Sequence, residues 1–100
     1  VELSFSGRLW PWDRRKADSW VFVSLPPELA DEIDHVAQRA ARGFGSVRVE
    51  ATVGPTTWRT SVFPDSSART YVLPLKRAVR AAAGIDVDDE AHVRLRVLDA

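Results

Sequence analysis

A chain of 100 residues, 45% hydrophobic and 28% charged, is the size of one domain. It can bury roughly 60–70% of its extended-chain surface, enough to hold a core without metal, and having no cysteine it excludes disulfides and thiol chemistry. Fourteen basic residues balance fourteen acidic ones, so the strong positive field that draws proteins to nucleic acid is missing.

Glu2 to Leu9 alternates, with Leu3, Phe5, Gly7 and Leu9 on one face and Glu2, Ser4, Ser6 and Arg8 on the other. That is the pattern of a half-buried strand. Trp10 to Lys16 breaks it and reads as a loop. Trp20 to Leu25 is apolar at nearly every position and predicts a strand covered on both faces. Pro26-Pro27 ends that strand and opens a helix, with Leu29, Ile33, Val36 and Ala40 as its buried stripe. Acids near its start (Glu28, Asp31, Glu32) and Arg39 and Arg42 near its end complement the helix dipole, and Gly43 is the expected stop.

Ser46 to Val53 alternates again, with Val47, Val49, Ala51 and Val53 inward. A turn at Gly54-Pro55-Thr56 returns it as a strand from Thr57 to Phe63. Pro64-Asp65-Ser66-Ser67 is a second turn and Arg69 to Leu73 a short strand. Pro74 is expected to open a second helix that buries Leu75, Ala78, Val79 and Ala82 and stops at Gly84. An acidic turn, Asp86 to Glu90, leads to a last strand, Ala91 to Leu98, with Val93, Leu95 and Val97 inward. The chain is therefore mainly β with two helices. About six strands in hairpins and near-sequential pairs, without βαβ alternation, predict a small closed or partly open β-barrel, antiparallel or mixed, formed by residues 1–100 as one domain.

Trp20-Val21-Phe22-Val23-Ser24-Leu25-Pro26 followed by an acidic helix resembles the opening of the domain of unknown function 1905 family. So do Thr60-Ser61-Val62-Phe63-Pro64, Tyr71-Val72-Leu73-Pro74-Leu75-Lys76-Arg77-Ala78-Val79-Arg80 and Ala83-Gly84-Ile85. The resemblance spans nearly the whole chain and is most specific in the Leu-Pro-Leu-Lys-x-x-Val-Arg stretch. Where the family usually shows Gly-Asp before the last strand, this chain has Asp88-Asp89, a departure expected to touch only the turn. The resemblance implies a small bacterial β-barrel near the swapped-hairpin barrels of AbrB-type regulators. It implies no activity. It also implies an accessory role, because longer relatives join this domain to a second one linked with bacteriocin protection. Fold analogy does not carry function.

No catalytic or metal chemistry is expected, and no cofactor. The histidines are His35, on the polar side of the first helix, and His92, on an outward strand face with Arg94 and Arg96; neither has cysteine to help it hold a metal. The acidic turn lacks the glycine and distal glutamate of a calcium loop. Ser61, Ser66 and Ser67 sit in no nucleophile elbow, which leaves a small hydrolase without support. Trp10-Pro11-Trp12 beside Arg14, Arg15 and Lys16 has the composition of a base-stacking surface, but net neutrality favours simple solvation.

The second helix breaks a local rule. Lys76 and Arg77 stand in its expected first turn, where the dipole disfavours cations, and Arg80 follows one turn on. With Arg59 and Arg69 from neighbouring strands they form the candidate anion site. The ordinary account is that the Arg stems cover the barrel while their heads pair with Asp65 or the acidic turn. The expected function is a non-catalytic binding or accessory module contacting a small anion or a protein partner. A nucleic-acid-binding barrel is the alternative, against the charge balance. No apolar run approaches the roughly 20 residues that cross a bilayer, so no membrane partner is expected. The missing cysteine and the lack of a signal peptide fit the cytoplasm. The chain opens on Val1, as a processed or trimmed start would. Twelve Arg against two Lys, with thirteen Ala, thirteen Val and no Asn, reads as GC-rich coding bias rather than an Arg-specific function.

Overall fold

The strands close on themselves in the order β1-β2-β5-β4-β3-β6, every pair antiparallel. The computed structural model describes residues 2–40 and 45–98. Its elements are β1 (Glu2–Pro11), β2 (Val21–Ser24), α1 (Pro27–Ala40), β3 (Val47–Val53), β4 (Thr56–Asp65), β5 (Thr70–Pro74), α2 (Arg77–Ala83) and β6 (Glu90–Val97). The expected barrel of six strands and two helices is the observed one.

Two long strands make the corners. β1 pairs with β6 over Glu2 to Arg8, then bends to pair with β2 over Leu9 to Pro11. β4 pairs with β3 over Thr56 to Val62, then with β5 over Phe63 to Asp65. One side of the barrel is thus a broad four-stranded sheet and the other a set of short ladders. Inward residues alternate as the sequence predicts: Val47, Val49, Ala51 and Val53 from β3, and Ala91, Val93, Leu95 and Val97 from β6. They meet Leu9, Val23, Val62 and Leu73 in one apolar cluster. Burial of this period-two face is the main stabilising term.

α1 closes one end, laying Ala30 and Ile33 into the cluster, with Leu29 and Val36 half-buried beside it. The Pro26 carbonyl accepts the N–H groups of Leu29 and Ala30, so Pro27 occupies the first helical position, where its missing donor costs nothing. The expected stop at Gly43 lies outside the described residues, as do the side chains of Arg39 and Ala40. At the other end, Ala83 of α2 packs against the β3–β4 turn, and a Cβ on Gly54 would stand 3.0 Å from the Ala83 Cβ. Gly54 also has φ 56°, the left-handed conformation that a two-residue hairpin loop requires at its first position.

Several boundaries differ from expectation. Trp10 and Pro11 belong to β1, and Pro64 and Asp65 to β4, although both stretches read as loop or turn. Arg69 lies in the turn before β5, with φ 55°. β2 is not covered on both faces: Val21 and Val23 are buried, Phe22 is half-buried under Trp10, and Trp20 precedes the strand, 68% exposed. α2 starts at Arg77 rather than Pro74, because Pro74 pairs with Phe22 as the end of β5 and the Leu75 N–H bonds the Val21 carbonyl. That shift rotates its buried face. Leu75 and Val79 are buried and Ala83 half-buried, whereas Ala78 and Ala82 are exposed. Gly84 does end the helix, at φ 70°.

A cleft with a basic end and an aromatic end

The β1–β2 loop folds over α2 and leaves a cleft of about 550 Å³ beneath it, lined by Arg14, Lys16 and Ser19 of the loop, Arg77 and Arg80 of α2, and Asp86. Local bonds shape the loop. The Trp12 N–H donates to the Trp20 carbonyl (2.7 Å), the Asp13 N–H to the Ser19 hydroxyl (2.8 Å) and the Lys16 N–H to the Asp13 carbonyl (3.2 Å). Arg14 then ties it down, reaching both Asp88 carboxylate oxygens at 2.9 and 3.2 Å.

Asp88 has φ 72°, a left-handed conformation. This is the position at which the resemblance leads one to expect glycine. Aspartate tolerates that conformation better than most residues and adds a carboxylate that glycine lacks. That carboxylate reaches beyond the turn to Arg14 of the β1–β2 loop.

The sequence-predicted anion residues divide. Arg77 lines the cleft and Lys76 is exposed at the N-cap of α2, without a side-chain capping bond. Arg80 is committed: its Nε–H donates to the Leu75 carbonyl (3.2 Å) and its guanidinium to Asp86 (2.8 Å), with the side chain 14% exposed. Arg59 lies on the outer face of β4, opposite Glu50, while its neighbours Trp58 and Thr60 face the other way. Arg69 stands at the opposite end of the barrel in a shallow hollow with Asp31, Asp34 and Tyr71. α2 has seven residues, too short for its dipole to define a site. The partner that the sequence did not supply is Lys16, brought beside Arg77 from 61 positions away. No local signal could have joined them.

Beyond Ser19, Val21, Arg77 and Arg80 the cleft continues into an apolar groove of about 470 Å³, walled by Trp20, Trp58, Phe63, Pro74 and Leu75. Trp20 stacks on Phe22 with centroids 6.3 Å apart and planes 19° from parallel. Trp10 packs on the same ring and anchors itself by donating its indole N–H to the Ser24 hydroxyl at 2.9 Å.

The carboxylates around the cleft are held ionised. The Val87 N–H and then Arg80 hold Asp86 below its ordinary 3.8, and Arg14 does the same for Asp88. Groups depressed on folding stabilise the native state above the unfolded value, and that contribution fades as pH falls through the lower, folded value. Thermal melts are therefore expected to drop between pH 4 and more acidic buffers, and Asp86→Asn with Asp88→Asn to show a flatter profile there. An unchanged profile would show that these pairs do not stabilise the fold.

Two other polar groupings lie outside the cleft. Tyr71 is buried and donates to Asp34 at 2.5 Å; burial, then the neighbouring carboxylate, pushes its hydroxyl well above the usual range. Ser6 hydrogen-bonds His92 Nδ1, and His92 Nε2 lies 3.9 Å from Glu90. This trio has nucleophile, base and acid in composition, but it stands on an open sheet face, His92 and Glu90 82% and 67% exposed, where water competes for each contact. Among the described residues no group of three or more His, Asp or Glu is placed to hold a metal, and no helix is long and apolar enough to cross a membrane.

The architecture is that of a closed antiparallel β-barrel of six strands, with a helix at each end and a cleft beside the second. The family model described as Domain of unknown function (DUF1905) matches residues 5–95, and the chain belongs to that family. No curated protein matches it.

Proposed function

We propose that this barrel is a non-catalytic binding module that takes a small anion between the β1–β2 loop and α2. One observation carries the reading. Lys16 and Arg77 face the same cleft and, among the described residues, neither has a carboxylate within ion-pair distance, whereas their neighbours Arg14 and Arg80 are paired with Asp88 and Asp86. Arg77 offers a planar fork for carboxylate, sulfate or phosphate oxygens, and Lys16 a point charge from the opposite wall. The module acts as an accessory to a larger bacterial system, as the family resemblance implies, and in the cytoplasm, as the absence of cysteine suggests.

Sulfate is expected to raise the melting temperature of the wild type more than that of a Lys16→Ala, Arg77→Ala double variant, measured against chloride at matched ionic strength. Sulfate stabilises many proteins by exclusion from their surface, so the difference between the two proteins is the readout. Equal shifts would remove the site.

A nucleic-acid-binding barrel is the second reading, favoured by Trp12 and Trp20, 75% and 68% exposed at the two ends of the loop that carries Arg14, Arg15 and Lys16. Balanced charge predicts weak duplex binding, because few counterions are released. Sub-micromolar affinity at physiological salt, falling steeply as salt rises, would favour that reading over the anion module.

A further inference from the structure

We propose that the outer edge of β4 is a docking site for an extended acidic peptide segment of a partner protein, which adds to the sheet as a strand alongside Thr57, Arg59 and Ser61. The proposal goes beyond the anion reading and does not rest on it.

The backbone points to this edge. Val53 and Thr56 flank a two-residue loop, so they form the hydrogen-bonded pair that closes the hairpin. Alternation then directs Trp58, Thr60 and Val62 at β3, and turns the N–H and C=O groups of Thr57, Arg59 and Ser61 the other way. Phe63, next in that series, is where pairing with β5 begins. Continuing the β4–β5 register places Pro74 opposite Ser61, and proline has no N–H to give. The ladder stops there, and the chain leaves for α2. Among the described residues, no backbone hydrogen bond from a turn, loop or cap reaches Thr57, Arg59 or Ser61.

Such edges are usually covered or blunted. Here the edge borders the apolar groove, whose walls, Trp58 and Phe63 on one side and Trp20 and Leu75 on the other, leave room for a large apolar side chain. A docked strand would turn alternate residues into that groove and the others to solvent beside Arg59. Charge selects the partner: with Arg80 held by Asp86, Lys76 and Arg77 still outnumber Asp18, the one acid among the groove's lining residues. β1 offers another edge of the same sheet over its first half, but the aromatic groove lies beside β4.

The test is backbone amide exchange with the probe peptide Glu-Val-Glu-Trp-Glu-Val-Glu, compared with the same peptide N-methylated at alternate backbone nitrogens. Saturation with the first is expected to slow exchange at Thr57, Arg59 and Ser61 about tenfold, and the methylated peptide to leave them unchanged. Arg59→Pro removes an outward N–H, a substitution that edge strands tolerate. It is expected to keep the fold and the sulfate response while losing the peptide; Thr57→Pro serves if Arg59→Pro does not fold. Absence of slowing at millimolar peptide, or equal binding of the methylated form, overturns the proposal. Protection in the free protein that grows with protein concentration would also overturn it, by showing that a second copy covers the edge.

Discussion

Leu73→Ala is expected to remove about 2–5 kcal/mol of stability, the range for truncating a fully buried leucine that leaves a cavity. Leu73 is 0% exposed and stands on β5 opposite Val23, also 0% exposed, at the centre of the short ladders that close the barrel. The surrounding strands are hydrogen-bonded on both sides of β5 near this point and have little freedom to collapse into the void. For a domain of this size the loss corresponds to a fall in melting temperature of order 10–20 °C. Phe63→Ser, at a side chain 44% exposed, is the contrasting variant and is expected to cost under about 1 kcal/mol. Urea titration of both variants measures the difference. A Leu73→Ala loss no greater than that of Phe63→Ser would mean that β5 does not sit in the core.

The strand faces were legible because three of the strands bury only one side. β1, β3 and β6 alternate buried or half-buried with more exposed positions as their sequences do. The differences at Pro11, Pro64 and Pro74 share one cause, which is that a proline in sequence signals a loop, a turn or a helix start. Pro11, Pro64 and Pro74 all pair in strands, opposite Val21, Tyr71 and Phe22. Each falls at a non-hydrogen-bonded position of the ladder it belongs to. Trp12 bonds Trp20 one step past Pro11, Leu75 bonds Val21 one step past Pro74, and Phe63 and Asp65 bracket Pro64. A missing N–H there costs no ladder bond. Sequence shows the proline but not the register, and the register decides what the proline does.

The candidate site was less legible for a related reason. Lys76, Arg77 and Arg80 are close in sequence, so their clustering was visible, and the possibility that an Arg head pairs with the acidic turn is what Arg80 and Asp86 display. Which cation stays unpaired depends on where α2 begins, a difference of three residues. Lys16 and Trp58 join the site only through barrel closure, which no local spacing encodes.

Arg80→Ala and Arg77→Ala separate the two kinds of arginine in the cleft. Arg80 is 14% exposed and bonds the Leu75 carbonyl at 3.2 Å and Asp86 at 2.8 Å. The Asp86 side chain is 72% exposed, so the ion pair itself contributes little. The larger loss comes from the Leu75 carbonyl, left without that donor, and from the buried stem of the arginine. Together these are expected to cost about 1–2 kcal/mol. Arg80→Lys keeps the charge but has no planar fork to serve both acceptors, and is expected to fall between wild type and alanine. Arg77→Ala, at an exposed side chain, is expected to change stability by less than about 0.5 kcal/mol while abolishing most of the sulfate response. Urea titration with and without sulfate reads both quantities for each variant. The opposite pattern, with Arg80→Ala neutral to folding yet blind to sulfate and Arg77→Ala the reverse, would make Arg80 the ligand contact and Arg77 the structural one.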